Sequence, residues 1–103
     1  MAIPVNNSTT VTTAGTRVQL TASAISAPYV IFQAPAANTN PIFIGLSDVA
    51  STKYMVRLAA GSVFVLEGTT TNRGLGGEIE LNSLYVDATT NGDKLFWTYV
   101  PRT

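Results

Sequence analysis

The chain has 103 residues, of which 46% are hydrophobic, enough for one domain with one core and too few for a second. Six Lys and Arg balance six Asp and Glu, for a net charge of +0, which speaks against nucleic-acid binding because no basic excess is available to displace counterions from phosphates. The absence of His and Cys removes the usual general base near neutral pH, the Ser-His-Asp triad, thiol nucleophiles, disulfides and the ordinary zinc ligands.

Residues 1–15 form a Thr-rich leader, read as an extended N-terminal arm or an edge strand ahead of a domain over 16–103. Its start has no basic n-region and no apolar h-region, so no signal peptide is expected. Thr16–Ala22 alternates, with Val18 and Leu20 on one face and Arg17 and Gln19 on the other. Tyr29–Gln33 is apolar on both faces, as a central strand is. A loop over Pro35–Pro41 leads to a short strand at Ile42–Gly45, a turn at Asp48–Thr52 and a strand at Tyr54–Leu58. Ala59-Ala60-Gly61 breaks the chain before Val63–Glu67, where Val63 and Val65 face opposite to Phe64 and Leu66.

Gly68–Gly77 is the longest clear loop. Strands are expected at Ile79–Leu81 and Leu84–Asp87, and Asn91-Gly92 then signals a type I′ hairpin into Lys94–Val100. In that last strand Leu95, Trp97 and Tyr99 share one face, and Phe96, Thr98 and Val100 the other. No window has sustained helical spacing. The predicted fold is all-β: a small single-domain β-sandwich, jelly-roll-like or related, of about seven or eight short strands. The expected core is Val18, Leu20, Ile31, Phe32, Ile44, Val65, Leu84, Val86 and Leu95, anchored by Phe96 or Trp97. The longest apolar runs are about five residues, far below the roughly 20 that cross a bilayer, so a soluble protein with no membrane partner is expected.

Chemistry-bearing patterns are sparse. Glu78 and Glu80 lie two apart on one side of a strand, which suits a solvated face better than a glycosidase pair in so small a sandwich. Weak calcium coordination by Glu78, Glu80 or Asp93 lacks a run of oxygen ligands around it. Gly74-Leu75-Gly76-Gly77 continues as Glu-Ile-Glu, without the Lys-Ser/Thr of a phosphate loop. Asn6-Asn7-Ser8 and Asn7-Ser8-Thr9 match a glycosylation sequon by chance in a Thr-rich stretch. Trp97 with Tyr99 suits a core pair better than a sugar platform. The reading is therefore a non-enzyme with no catalytic residue, no cofactor and no metal.

Charged residues make up 12% of the chain, against about 25% in ordinary domains, their place taken by Thr, Ser, Asn, Ala and Gly. Neutral hydroxyls and amides desolvate at lower cost than ammonium or carboxylate groups, so this surface suits burial by partners, including a homodimer or homotrimer. Two partner-contact surfaces are expected. The first is the leader, through Ile3, Pro4, Val5 and Val11, whose deletion over Ala2–Thr10 would leave the thermal midpoint nearly unchanged. The second is the Gly68–Gly77 loop, through Arg73 and Leu75, its only charged and only large apolar residues.

The order of several short pieces resembles small tailed-bacteriophage virion proteins of the head decoration (cement) type. The pieces are Gly15-Thr16-Arg17-Val18-Gln19-Leu20 after a Thr-rich start, Val30-Ile31-Phe32-Gln33-Ala34-Pro35, Asn38-Thr39-Asn40-Pro41-Ile42-Phe43-Ile44-Gly45 with Ser47-Asp48-Val49, Leu58-Ala59-Ala60-Gly61, and Leu84-Tyr85-Val86-Asp87-Ala88 with Asn91-Gly92 and a final aromatic strand. Together they cover most of residues 8–100. The resemblance implies a small β fold that binds the major capsid protein lattice on the capsid exterior as a dimer or trimer, made in the host cytoplasm and housed in the virion. It carries no catalytic motif, and the Gly68–Gly77 loop is longer than the pattern. The alternative from a different class is a receptor- or glycan-binding module of a phage head or tail fibre, or another minor virion component. Such a module needs Trp97, Tyr99 or Tyr54 exposed in a groove.

Overall fold

A computed structural model describes residues 5–67 and 79–100. Among these are ten strands: β1 Val5–Thr10, β2 Val18–Gln19, β3 Ser26–Ala27, β4 Tyr29–Gln33, β5 Ile42–Gly45, β6 Val56–Leu58, β7 Val63–Glu67, β8 Ile79–Glu80, β9 Tyr85–Ala88 and β10 Lys94–Tyr99. A 3₁₀ turn at Leu81–Ser83 lies between the two strands expected at Ile79–Leu81 and Leu84–Asp87 and takes Leu81 from the first of them. The strand count exceeds the expected seven or eight because the leader forms β1 and because β3, only two residues long, is too short to leave a period in the sequence.

All pairings are antiparallel. The first sheet runs β1-β10-β4-β7, the second β2-β9-β5-β6, and β3 pairs with β8 apart from both. Apart from the β5-β6 hairpin, successive strands of the two main sheets alternate between them, with the last strand inserted between the first and the fourth. This is the connectivity of a jelly roll, whose two sheets enclose one core.

Alternation along each strand decides what fills that core. In the first sheet Thr9, Leu95 and Trp97, and Val30 and Phe32, point inward and are buried. Leu20, Ile42, Ile44, Leu58, Leu84, Val86 and Ala88 meet them from the other side. Trp97 is the interior anchor, whereas Phe96 is 42% exposed. Three further expectations about the core are corrected. Val65 is 45% exposed because it pairs with Ile31 on the outside of the sheet, and Ile31 is itself only half-buried. Val18, in a two-residue strand at a sheet edge, is half-buried as well.

The Asn91-Gly92 turn is not the expected hairpin. The strands it joins, β9 and β10, lie in different sheets, so the turn carries the chain across the sandwich. Gly92 alone takes positive φ, at 88°, and no non-glycine residue among those described does, which rules out type I′. Gly92 N–H donates to Val11 O and Val11 N–H to Asp93 O, so β1 and not β9 binds the start of β10. Buried carboxylates fasten the neighbouring loops. Asp93 accepts from the N–H groups of Thr39 and Asn40 at 3.0 and 3.1 Å, and Asp87 from those of Gly15 and Ala88 at 3.1 and 2.8 Å. Asn38 completes this corner by donating to Lys94 O and accepting from Lys94 N–H, both at 2.8 Å.

Candidate docking face

The leader expected to reach a partner is built into the sandwich from Val5 onward. β1 is an edge strand against β10, with Val5 opposite Tyr99 and Thr9 opposite Leu95. Val5 is half-buried. Val11 is fully buried in the core, which withdraws it as a contact residue: the strand delivers it inward, and its backbone is held at both ends by the β10 turn. Thr9 Oγ1 donates to Leu20 O at 2.9 Å and accepts from Trp97 Nε1 at 3.0 Å, pinning the edge strand to the interior. Ile3, Pro4, Arg73 and Leu75 lie outside the described residues.

Among the described residues, a run of exposed apolar side chains lies instead on the outer face of the first sheet. The ladder aligns two rows across it, Ser8–Phe96–Gln33–Val63 and Asn6–Thr98–Ile31–Val65. The face is graded. Toward β7 it is apolar, with Val63 56% exposed and Val65 45%. Toward β1 it is neutral and polar, and Asn6, Asn7, Ser8, Gln33, Phe96 and Thr98 line an open groove of about 650 Å³ there. Thr98 Oγ1 donates to Asn6 Oδ1 across the strands, which fixes that amide in the groove. The charges along this face are confined to its margins, Lys94 at one end of β10 and Glu67 at the end of β7. Such a surface can be dehydrated without stranding an ion, while its amides and hydroxyls supply directional bonds. Sequence reasoning missed it because Val63-Phe64-Val65-Leu66 reads as a strand with two apolar faces, and nothing in that run says which face the second sheet covers.

Elsewhere the surface of the described residues offers little chemistry. Tyr54 is 44% exposed and tilted against Phe43 with ring centroids 5.1 Å apart, beside a small depression of about 110 Å³ that also includes Leu46 and Met55. Buried Trp97 stacks on half-buried Tyr99 with ring centroids 5.8 Å apart, so of the three aromatic residues weighed from sequence Tyr54 alone keeps the exposure a sugar platform needs. Lys53 Nζ lies 2.6 Å from Asp48 Oδ2, and that hydrogen bond holds the Asp48 carboxyl below the ordinary carboxylate range. No group of three potential metal ligands occurs among the described residues. Both oxygens of Asp93 serve backbone N–H donors, which leaves it poorly placed for the calcium role weighed from sequence. Glu80 is exposed on β8, and Glu78 lies outside the described residues. No helix among the described residues is long and apolar enough to cross a membrane.

No protein-family model and no curated protein matches the chain significantly. One solved structure is similar in fold, a protein described under "Bacillus endospore appendages form a novel family of disulfide-linked pili", with a TM-score of 0.51 and 14% identity over 99% of this chain and 88% of that one. At that identity the likeness is one of fold, and it agrees with the all-β sandwich.

Proposed function

We propose that the protein is a non-enzymatic structural subunit that decorates the outer surface of an assembled tailed-phage head and stabilises it. The observation that carries this reading is the graded, nearly charge-free outer face of the β1-β10-β4-β7 sheet, which suits burial against a protein lattice. The resemblance of the strand-turn pieces to head decoration proteins supplies the lattice in question. A modest contact of this size binds weakly alone, and many symmetric copies acting on one shell supply the stabilisation. The pilus protein of similar fold is in keeping with an assembly role, although this chain has no Cys and so cannot form the cross-links named there.

The test is to add purified protein to heads lacking it, then to sediment and image the particles. Regularly spaced extra density on the head exterior is expected, and loss of that density with the double variant Val63→Ser, Phe96→Ser at an unchanged thermal midpoint. Heads that sediment bare would overturn the reading. The groove beside Phe96 favours one second reading, a glycan-binding module, because an aromatic ring among amides and hydroxyls suits a sugar. Saturable binding on a glycan array, lost in Phe96→Ser, would select it.

A further inference from the structure

We propose that two copies of the chain join through the free edge of β7, antiparallel and centred on Val65, to make one continuous eight-stranded sheet. The inference deepens the assembly reading by naming the surface through which copies meet, and its test is separable from head binding.

Hydrogen bonding in the first sheet shows what that edge offers. Ala34 N–H donates to Ser62 O at 2.9 Å, which makes Ala34–Ser62 a hydrogen-bonded pair. Bonded and non-bonded pairs alternate along an antiparallel ladder, so Phe32–Phe64 and Val30–Leu66 are the bonded pairs between β4 and β7. The opposite side of the sheet gives the same phase. Val11 N–H donates to Asp93 O, and counting from there across β10 and β4 again turns Phe64 and Leu66 toward β4. The N–H and C=O groups of Val63, Val65 and Glu67 therefore point out from the sheet edge, where no described strand pairs with them.

Natural edges are usually protected by brevity, Pro, Lys or a bulge. In the second sheet the edge strands β2 and β6 are two and three residues long, and β1 at the far edge of the first sheet is polar. β7 has none of these protections: it is five residues of Val-Phe-Val-Leu-Glu, and Val63, Phe64 and Val65 are all exposed.

Self-pairing answers each feature. Within the strand, only the register centred on Val65 pairs all three outward residues, Val63 with Glu67 of the second copy, Val65 with Val65, and Glu67 with Val63. That gives about six main-chain hydrogen bonds, two for each pair. The register keeps the faces matched, setting Phe64 beside Leu66 of the second copy at the margin of the core and Val65 beside its own copy outside. It also separates the two Glu67 carboxylates by about 14 Å, four residues of strand, whereas parallel pairing would set them side by side. A two-fold axis at Val65 closes the assembly at two copies.

The chain has no Cys, so one introduced thiol is an unambiguous probe. In the proposed dimer the two Val65 Cα atoms lie about 5.5 Å apart, within disulfide range. Under mild oxidation Val65→Cys is expected to cross-link at least about tenfold faster than Phe96→Cys, an equally exposed control on the same face. By sedimentation velocity the wild type is expected to shift from monomer to dimer with rising concentration. Val65→Pro removes only an outward N–H, and Val65→Lys sets two ammonium groups together; each is expected to weaken the dimer by about tenfold or more while the monomer keeps its circular dichroism. A wild type that stays monomeric at high concentration, or Val65→Cys cross-linking no faster than the control, overturns the proposal. So does a folded Val65→Lys that dimerises like the wild type. Head binding by a monomeric Val65→Lys would leave the decoration reading standing.

Discussion

Replacing Thr9 by Val tests whether the first strand is part of the fold or an accessory to it. The substitution keeps the shape and β-branching of the side chain and removes one hydroxyl. That hydroxyl serves two buried groups, donating to Leu20 O at 2.9 Å and accepting from Trp97 Nε1 at 3.0 Å. Thr9 is 8% exposed and Trp97 3%, so little water reaches either group to replace the lost partner. Leaving a buried donor or acceptor unmade costs about 1–3 kcal/mol, and two of them about 2–6 kcal/mol. A domain of this size holds about 5–15 kcal/mol in all. With a urea dependence of about 1–3 kcal/mol per molar, the unfolding midpoint should fall by about 1–3 M at unchanged slope. Trp97 is the only Trp, so its fluorescence reports the transition at the site of the change. Thr9→Ser, which retains the hydroxyl, should recover most of the loss. A Thr9→Val midpoint within about 0.3 M of wild type would refute the reasoning, since the indole would then be satisfied by something else.

Four other outcomes follow from the same structure. Deleting residues 2–10 should lower the thermal midpoint sharply or prevent folding, because it uncovers one whole edge of β10; a midpoint unchanged in a melting scan would restore the leader as a free arm. Leu84→Ala, at a site only 3% exposed, should cost about 2–5 kcal/mol in chemical denaturation. Gly92→Ala should cost about 1–2 kcal/mol from backbone strain alone, since φ is +88° and an added Cβ would meet nothing within 4 Å. The Asp48–Lys53 pair should make little difference: its folded carboxyl is held low, so any contribution is present above the ordinary carboxylate range and fades as pH falls through the lowered value, and with both ends exposed a Lys53→Met melt should match wild type near neutral pH.

Strand identity was legible where length and alternation were both present. Tyr29–Gln33, Ile42–Gly45 and Val63–Glu67 appear with the bounds expected from sequence, and the inward set Leu95, Trp97 and Tyr99 is the one that packs inside. What period-two reasoning could not supply is the partner of each strand. Asn91-Gly92 looks like a hairpin because local turn chemistry is the same whether the chain folds back on its own sheet or crosses to the other one. For the same reason Val65 looks like core: an apolar strand shows two possible inward faces, and the choice is made across the ladder, where the buried Phe32 and Val30 take Phe64 and Leu66 as partners and leave Val65 opposite Ile31. The leader was misjudged by composition. Only one large apolar side chain between Asn6 and Thr13 enters the core, yet Val11 and the single buried hydroxyl of Thr9 suffice to fix it.

The insertion of β10 between β1 and β4 also sets the order in which the domain can be made. β1 leaves the ribosome ahead of the other described strands, but its one neighbour among them in the sheet spans Lys94–Tyr99. Until that segment emerges, β1 has no partner and β4 and β7 form only a two-stranded ribbon, which is marginal in water. The first sheet therefore closes after synthesis of nearly the whole described chain, over the longest sequence separation it contains, and folding should be slow in the manner of other high-contact-order β domains. During that interval the apolar β7 edge is open to other nascent copies, so expression at low temperature or low translation density should raise the yield of folded protein.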